Sequence, residues 1–440
     1  MFLEKLLQII KRPNRNDPVV IECEKYRERG CSPEAADLVI SEYGKRRITK
    51  EEALRLAEDL QYCSNIKELK KRFAVKERPD GKSREKESRL NSVFGAIYGD
   101  VIGRKYEGQK ITDISDAVND PFQPACGLTD DSVLTIATLR TPRYAKKTKY
   151  YERKMGTGDI CCMGSYPVMY NAYTRSYREM AKRFPDAGYG SRFIMWMMRG
   201  DEKPYGSLGN GSAMRISPVG AMYNNIDDVI EQAAVSAMAT HNHIEGVKGA
   251  VVTAVCIWMA RKGYSKKQIY EYMRKHYSYG DSAELFTDFS YEEASDRISR
   301  QIECAYSVPA AVISFYKSGD YMDAIRLSAC VGYDTDTNAC ICGSIAGAYY
   351  GVPEEVKTVV VKKTEEIFGG NALMNEMLGD RIRELRIEKG ISAEKMAELM
   401  EMTPERYEGI EAGTRNIGLD VMLKAAKILN VTTEDITRVV

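Results

Sequence analysis

The chain of 440 residues has no charge imbalance, no C-x-x-C pair, no long apolar run and no low-complexity stretch. Each absence excludes something. Its 64 lysines and arginines against 63 aspartates and glutamates leave a net charge of +1, so no global field draws it to nucleic acid or an anionic membrane. The eleven cysteines form an odd set without paired spacing, which argues against a disulfide framework and for reduced thiols. No apolar run is long enough to span a bilayer. The opening "MFLEKLLQIIKRPN" carries charges within its apolar stripe and reads as an amphipathic helix rather than a signal peptide. A cytoplasmic protein with no membrane partner is the expectation. Internal repeats and alternating strand patterns are also missing, which leaves an all-α chain.

What is present divides into three parts, as expected for a chain longer than one core usually grows. Residues 1–89 read as a small helical region ending in a charged linker. Ser32-Pro33-Glu34 looks like a helix start, and Thr49 with Glu52 has capping-box spacing. The segment 70–89 holds nine basic and four acidic residues around a Pro-Asp-Gly turn, and reads as an exposed linker. Residues 90–370 carry helical periodicity throughout, interrupted by a polar, tyrosine- and lysine-rich excursion at 141–165. Residues 371–440 form short helices separated by tight turns.

The chemistry concentrates in "GYDTDTNACICGSIAGAYYG". Asp334, Asp336 and Asn338 match the first ligands of an EF-hand loop, but Ala339 stands at its sixth position and Ile345 at its twelfth, so the loop fails. Gly343, Gly347 and Gly351 then fall four apart on a helix face that can approach another backbone closely. The two carboxylates either cap this helix or hold a hard cation, which takes oxygen ligands. A second pair, Asp130 and Asp131 between Thr129 and Ser132, opens another apolar helix two hundred residues upstream and favours the cation. A third stretch, "GAIYGDVIGRKYEG", puts Gly95, Gly99 and Gly103 on one face, with Asp100 within it and Glu107 just beyond. Cys340 and Cys342 read as small packing residues.

Together with "AGYGSRF", "GSLGNGSAMRISPVG" and "ATHNHIEGVKGA", these motifs run in an order that resembles the ADP-ribosylglycohydrolase family over residues 90–355. The resemblance implies an orthogonal all-α domain that cleaves the glycosidic bond between ADP-ribose and an acceptor, using two Mg2+ ions, with Mn2+ as the alternative. It implies Thr129, Asp130, Asp131, Asp334, Asp336 and Thr337 as metal ligands. Glu107 is then the carboxylate for proton transfer, with Asp131 or Asp336 as a helper. Gly188, Tyr189, Gly190, Ser207, Gly209, Asn210 and His241 would contact the ligand, the glycines letting backbone N–H groups approach phosphate oxygens. His243 reads as structural. Tyr333 stands where many members carry glycine, Ser132 replaces the usual threonine, and the 141–165 excursion is additional.

Residues 380–436 resemble a helix-turn-helix of the lambda-repressor/Cro type, with Thr403-Pro404 opening the recognition helix. From Asp380 to Val440 ten basic residues face twelve acidic ones, and Glu405, Glu408 and Glu411 share the recognition helix with Arg406. Phosphate neutralisation dominates DNA affinity, so homodimerisation or partner docking stands beside DNA binding. The functional expectation is a hydrolase acting on an ADP-ribosylated protein or other acceptor. Its alternative is a ligand-sensing transcriptional regulator.

Overall fold

A computed structural model describes residues 15–28, 66–84, 89–146, 167–199, 204–277, 302–368 and 372–437 (414 and 416 excepted), with isolated positions between 40 and 54. The N-terminal stripe, the two expected helix starts near 32 and 49, and most of the 141–165 excursion lie outside them. Among the described residues the architecture is all-α, and pairing of strand type is limited to an isolated antiparallel bridge between Gly209 and Glu303.

The helices needed below are α1 (Asn91–Arg104), α2 (Asp130–Lys146), α3 (Pro167–Arg183), α4 (Ile226–Met238), α5 (Ile244–Lys262), α6 (Lys266–His276), α7 (Cys304–Lys317) and α8 (Thr335–Tyr350). Two of them, α1 and α8, are buried along nearly their whole length and lie at the centre. Their glycines decide how closely they approach. A Cβ on Gly99 would stand 2.1 Å from the Ala339 carbonyl oxygen, and one on Gly343 would stand 2.2 Å from that of Gly95. The two small-residue stripes therefore mesh backbone to backbone, as the four-residue spacing predicts, and each is the other's partner.

Around this pair one continuous apolar core collects residues from Val93 to Val360. Val19, Cys23, Ala53, Leu69 and Phe73 of the N-terminal region belong to the same core. The charged segment that follows is exposed, yet it is tied down. Gly81 and Arg84 donate backbone hydrogen bonds to the carbonyls of Gly263 and Arg261 at the end of α5, and Tyr264 reaches the Glu77 carbonyl. A segment expected to be an exposed linker is thus also a strap, held by its own backbone and by Arg84, whose Nη1 donates to the Ala260 carbonyl at 3.0 Å. Helix α2 continues to Lys146, so the excursion begins later than its composition predicts.

The C-terminal unit has a separate core built from Leu378, Ile382, Leu385, Met396, Tyr407, Ile410 and Leu429, among others. Its longer helices are α9 (Ala372–Glu388), α10 (Ala393–Leu399), α11 (Pro404–Glu411) and α12 (Leu419–Leu429), followed by a short turn of helix at Thr433–Thr437. Ser392 and Thr403 cap α10 and α11 by accepting the N–H of Lys395 and Arg406, as their positions predict. Glu411 is buried and held by Arg386, with Nε 2.6 Å from Oε1, and by the Tyr407 hydroxyl at 2.7 Å.

Candidate metal and ligand site

Three helix ends meet because of the glycine contact. With α1 pressed on α8, the Asp100 turn comes beside Asp336. A Cβ on Gly103 would stand 2.5 Å from the Asp336 Cα. Asp100, wholly buried in an apolar helix, then captures the start of α2. Its carboxylate accepts the backbone N–H of Thr129 at 2.9 Å and of Ser132 at 3.1 Å, the Thr129 hydroxyl at 2.8 Å, and the Ser132 hydroxyl as well. One carboxylate from a neighbouring helix thereby caps α2 and meets its dipole. The serine at position 132 keeps the hydroxyl that this bond needs.

Asp131 lies where the three ends converge. Its Oδ2 accepts from the Thr337 hydroxyl at 3.3 Å, which joins the two acid motifs across 206 residues, and lies 3.2 Å from the Thr129 hydroxyl, whose one hydrogen points to Asp100. Its Oδ1 is buried without a hydrogen-bond partner. Carboxylate oxygens of Asp100, Asp131 and Asp336 lie within 4.8 Å of one another. Burial, then mutual repulsion, pushes Asp131 and Asp336 well above the ordinary carboxylate range. The same two causes push Asp130 up to about 7, while burial raises Asp334 to about 6 against the lowering effect of the Asn210 amide.

The capping alternative for Asp334 fails on geometry. It occupies the N-cap position of α8 but makes no side-chain capping bond, and its Oδ2 accepts instead from Asn210 Nδ2. Asp336 Oδ1 takes only its neighbour's N–H, that of Thr337 at 2.8 Å. A buried orphan oxygen, converging carboxylates that cannot all ionise unaided, and hydroxyls beside them fit a hard divalent cation held by oxygen.

These groups line one cleft of about 400 Å³, a volume suited to a nucleotide-sized ligand. Thr129, Asp130, Asp131, Asp334, Asp336 and Thr337 all face it, as do Glu107, Gly188, Gly190, Ser207, Gly209, Asn210 and His241. Tyr189 is set differently: its ring is buried in a stack on Phe193, with centroids 5.1 Å apart, while its glycine neighbours line the cleft. Asp130 ties that loop down by donating its N–H to the Ala187 carbonyl at 2.7 Å.

Glu107 is exposed on a turn after α1, and the turn is clamped to the segment before α8. Gly108 N–H donates to the Tyr333 carbonyl, and Tyr333 N–H donates to the Gln109 carbonyl at 2.7 Å. Tyr333 itself has φ +57, the left-handed region that favours glycine, which is why a glycine suits that position. His243 caps α5, its Nδ1 accepting the Glu245 N–H at 3.1 Å, so its role is structural. Cys340 and Cys342 are buried, and burial pushes both thiols up, so they pack rather than react.

Three groups gain roles that composition and motifs left unassigned. Asp100 orients α2, and its signal was present: a lone carboxylate inside a helix that is otherwise small and apolar. Arg192 and Tyr205 line the cleft beside His241, with the guanidinium 5.1 Å from the Tyr205 ring centroid. Arg192 lies within "AGYGSRF" and Tyr205 just before "GSLGNGSAMRISPVG", but only tertiary packing brings 192, 205 and 241 together.

A family model described as ADP-ribosylglycohydrolase matches residues 82–391, and one described as helix-turn-helix matches residues 382–436. The chain is similar to ADP-ribosylhydrolase ARH3 of Homo sapiens, 25% identical over 60% of this chain and 85% of that one. The Bos taurus protein of the same name is 24% identical over 60% and 84%, and that of Danio rerio 25% over 59% and 82%. With a family match spanning well over half of its length, and a helix-turn-helix at its C-terminal end, this chain belongs to the ADP-ribosylglycohydrolase family.

Proposed function

We propose that the protein is a magnesium-dependent hydrolase that releases ADP-ribose from a modified protein side chain or a comparable acceptor. The observation that carries this reading is the convergence of Asp131 and Asp336, backed by Asp100 and with an orphan Asp131 oxygen, in the same cleft as Glu107. Thr129, Asp130, Asp131, Asp334, Asp336 and Thr337 would hold one or two cations, magnesium by preference and manganese as a substitute. When bound, the ions supply a hold on ribose hydroxyls and a more acidic water. The remaining work falls to the chain. Glu107 accepts a proton from the attacking water as its oxygen joins the anomeric carbon, and returns it to the acceptor atom as the glycosidic bond breaks. Gly188, Gly190 and the Ser207–Asn210 segment let a diphosphate approach the backbone.

The test is release of free ADP-ribose from ADP-ribosylated arginine, serine and nucleic-acid substrates, each with magnesium, manganese or chelator. Release only with the metal is expected, and Glu107→Gln should lower it by about a hundredfold or more. Failure on every substrate would sink the reading.

The helix-turn-helix match supports a second role at the C-terminal end. Glu411 is consumed by the internal pair with Arg386, so the exposed recognition face carries Glu405 and Glu408 against Arg406. That face is still acidic on balance, and it favours docking to a partner or a second copy over DNA. A salt-sensitive DNA complex at low ionic strength would reverse this preference, and one responsive to ADP-ribose without turnover would favour the regulator reading.

A further inference from the structure

The wall of the cleft beside His241 contains a costly feature. Arg215 lines the cleft, is fully buried, and among the described residues has no carboxylate partner. Its Nη2 donates to the Thr240 hydroxyl oxygen at 2.8 Å and to the Ser236 carbonyl at 3.2 Å, and its guanidinium sits 4.0 Å from the Tyr177 ring centroid. Its Nε and Nη1 have no hydrogen-bond partner. A buried cation so poorly compensated destabilises the fold, and an apolar side chain of similar length would serve packing better.

Its position supplies the reason. Thr240 Oγ1 lies 2.7 Å from His241 Nδ1. A guanidinium can only donate, so Thr240 accepts from Arg215, which fills one of its two acceptor sites and favours giving its one hydroxyl hydrogen to the imidazole. We infer that Arg215 and Thr240 are positioning residues that hold His241 in the tautomer with its proton on Nε2, so that the ring meets a bound ligand as an uncharged hydrogen-bond donor. Nε2 is the atom beside the glycine-rich segment: a Cβ on Gly211 would stand 3.1 Å from it. Tyr205, a further neighbour of Thr240, is a phenol kept protonated by burial, so its O–H can donate to the second acceptor site of Thr240. Burial, reinforced by Arg215 and Arg192, keeps the imidazole neutral. The positive charge of this wall therefore stays on the arginines, and His241 offers a ribose or phosphate oxygen a directed N–H.

This inference deepens the proposed function, since it takes the cleft as the ligand site, but its first readout needs no ligand. The chain has three histidines, so the full-length protein labelled with 15N-histidine gives three ring systems, and His241→Gln identifies one. The expected spectrum shows His241 protonated on Nε2 and bare on Nδ1 from about pH 6 to about pH 8. Thr240→Val should shift it away from that form and weaken binding of the probe ADP-ribose about tenfold. Thr240→Ser should restore both. A wild-type His241 protonated on Nδ1 or on both nitrogens, or a spectrum unmoved by Thr240→Val, overturns the inference. Absence of ADP-ribose binding to the wild type would instead count against the proposed function.

Discussion

At the scale of single residues, the site is organised by one carboxylate that does not face the ligand. Asp100 spends both oxygens on four donors at the start of α2, which fixes Thr129 and, through it, Asp131. Groups that orient metal ligands typically contribute 10- to 100-fold in affinity or activity. Asp100→Asn keeps the shape but replaces one accepting oxygen by a donor that opposes an N–H or O–H. The expected outcome is a rise of about tenfold or more in the magnesium concentration for half-maximal activity, with near-wild-type activity at saturation. A metal titration of the initial rate checks it. An unchanged titration would show that α2 is held in place without this carboxylate. Tyr333 makes the complementary point. Its left-handed backbone is a strain of roughly 1–2 kcal/mol, and the two backbone bonds to residues 108 and 109 keep it in place.

At the scale of elements, the meshing of α1 with α8 is what turns two sequence motifs into one site. Because the contact is backbone on backbone, it has no slack for a methyl group. Gly99→Ala places a carbon 2.1 Å from the Ala339 carbonyl oxygen, so the helices must separate. The expected cost is about 3 kcal/mol of stability, read by denaturant unfolding, with loss of metal binding. Gly190 lines the cleft but has open space around its Cβ position, and Gly190→Ala should change stability by less than about 0.5 kcal/mol. Equal losses for the two would mean that the close approach does not set the effect. The C-terminal helices follow a different rule, in which caps at Ser392 and Thr403 and the Arg386–Glu411 pair define the turns within a separate core.

At the scale of the whole molecule, the acid cluster by itself works against the fold. Carboxyls such as Asp130, pushed up to about 7, and Asp334, pushed up to about 6, bind protons more tightly folded than unfolded. Stability therefore falls as pH rises from the unfolded carboxyl pKa through these folded values, since the folded state is then the one that must give up its favoured protons. In chelator, the melting temperature should drop between about pH 4 and about pH 7. Excess magnesium should raise it and flatten that dependence, because the ion binds only the folded arrangement. A melting temperature that rises with pH in chelator, or that ignores magnesium throughout, would contradict the assignment of this cluster. Among the described residues no helix is long and apolar enough to cross a membrane.

The sequence by itself determined the helical class, the C-terminal unit, the glycine stripes and the acid motifs, because each is a local pattern of spacing or charge. The family resemblance also marked Tyr333, which stands where many members carry glycine, and the structure supplied the reason in its left-handed backbone. It could not say that the two glycine stripes are each other's partner, that Asp100 caps a helix other than its own, or that Tyr189 packs behind the wall that its neighbours line. Nor could it join Arg215 and Thr240 to His241, or reveal that the charged segment before residue 85 is strapped to the end of α5. Most of those facts depend on contacts between residues tens to hundreds of positions apart. Local patterning fixes which faces are small, apolar or charged, and only the close approach of whole helices decides which of those faces meet.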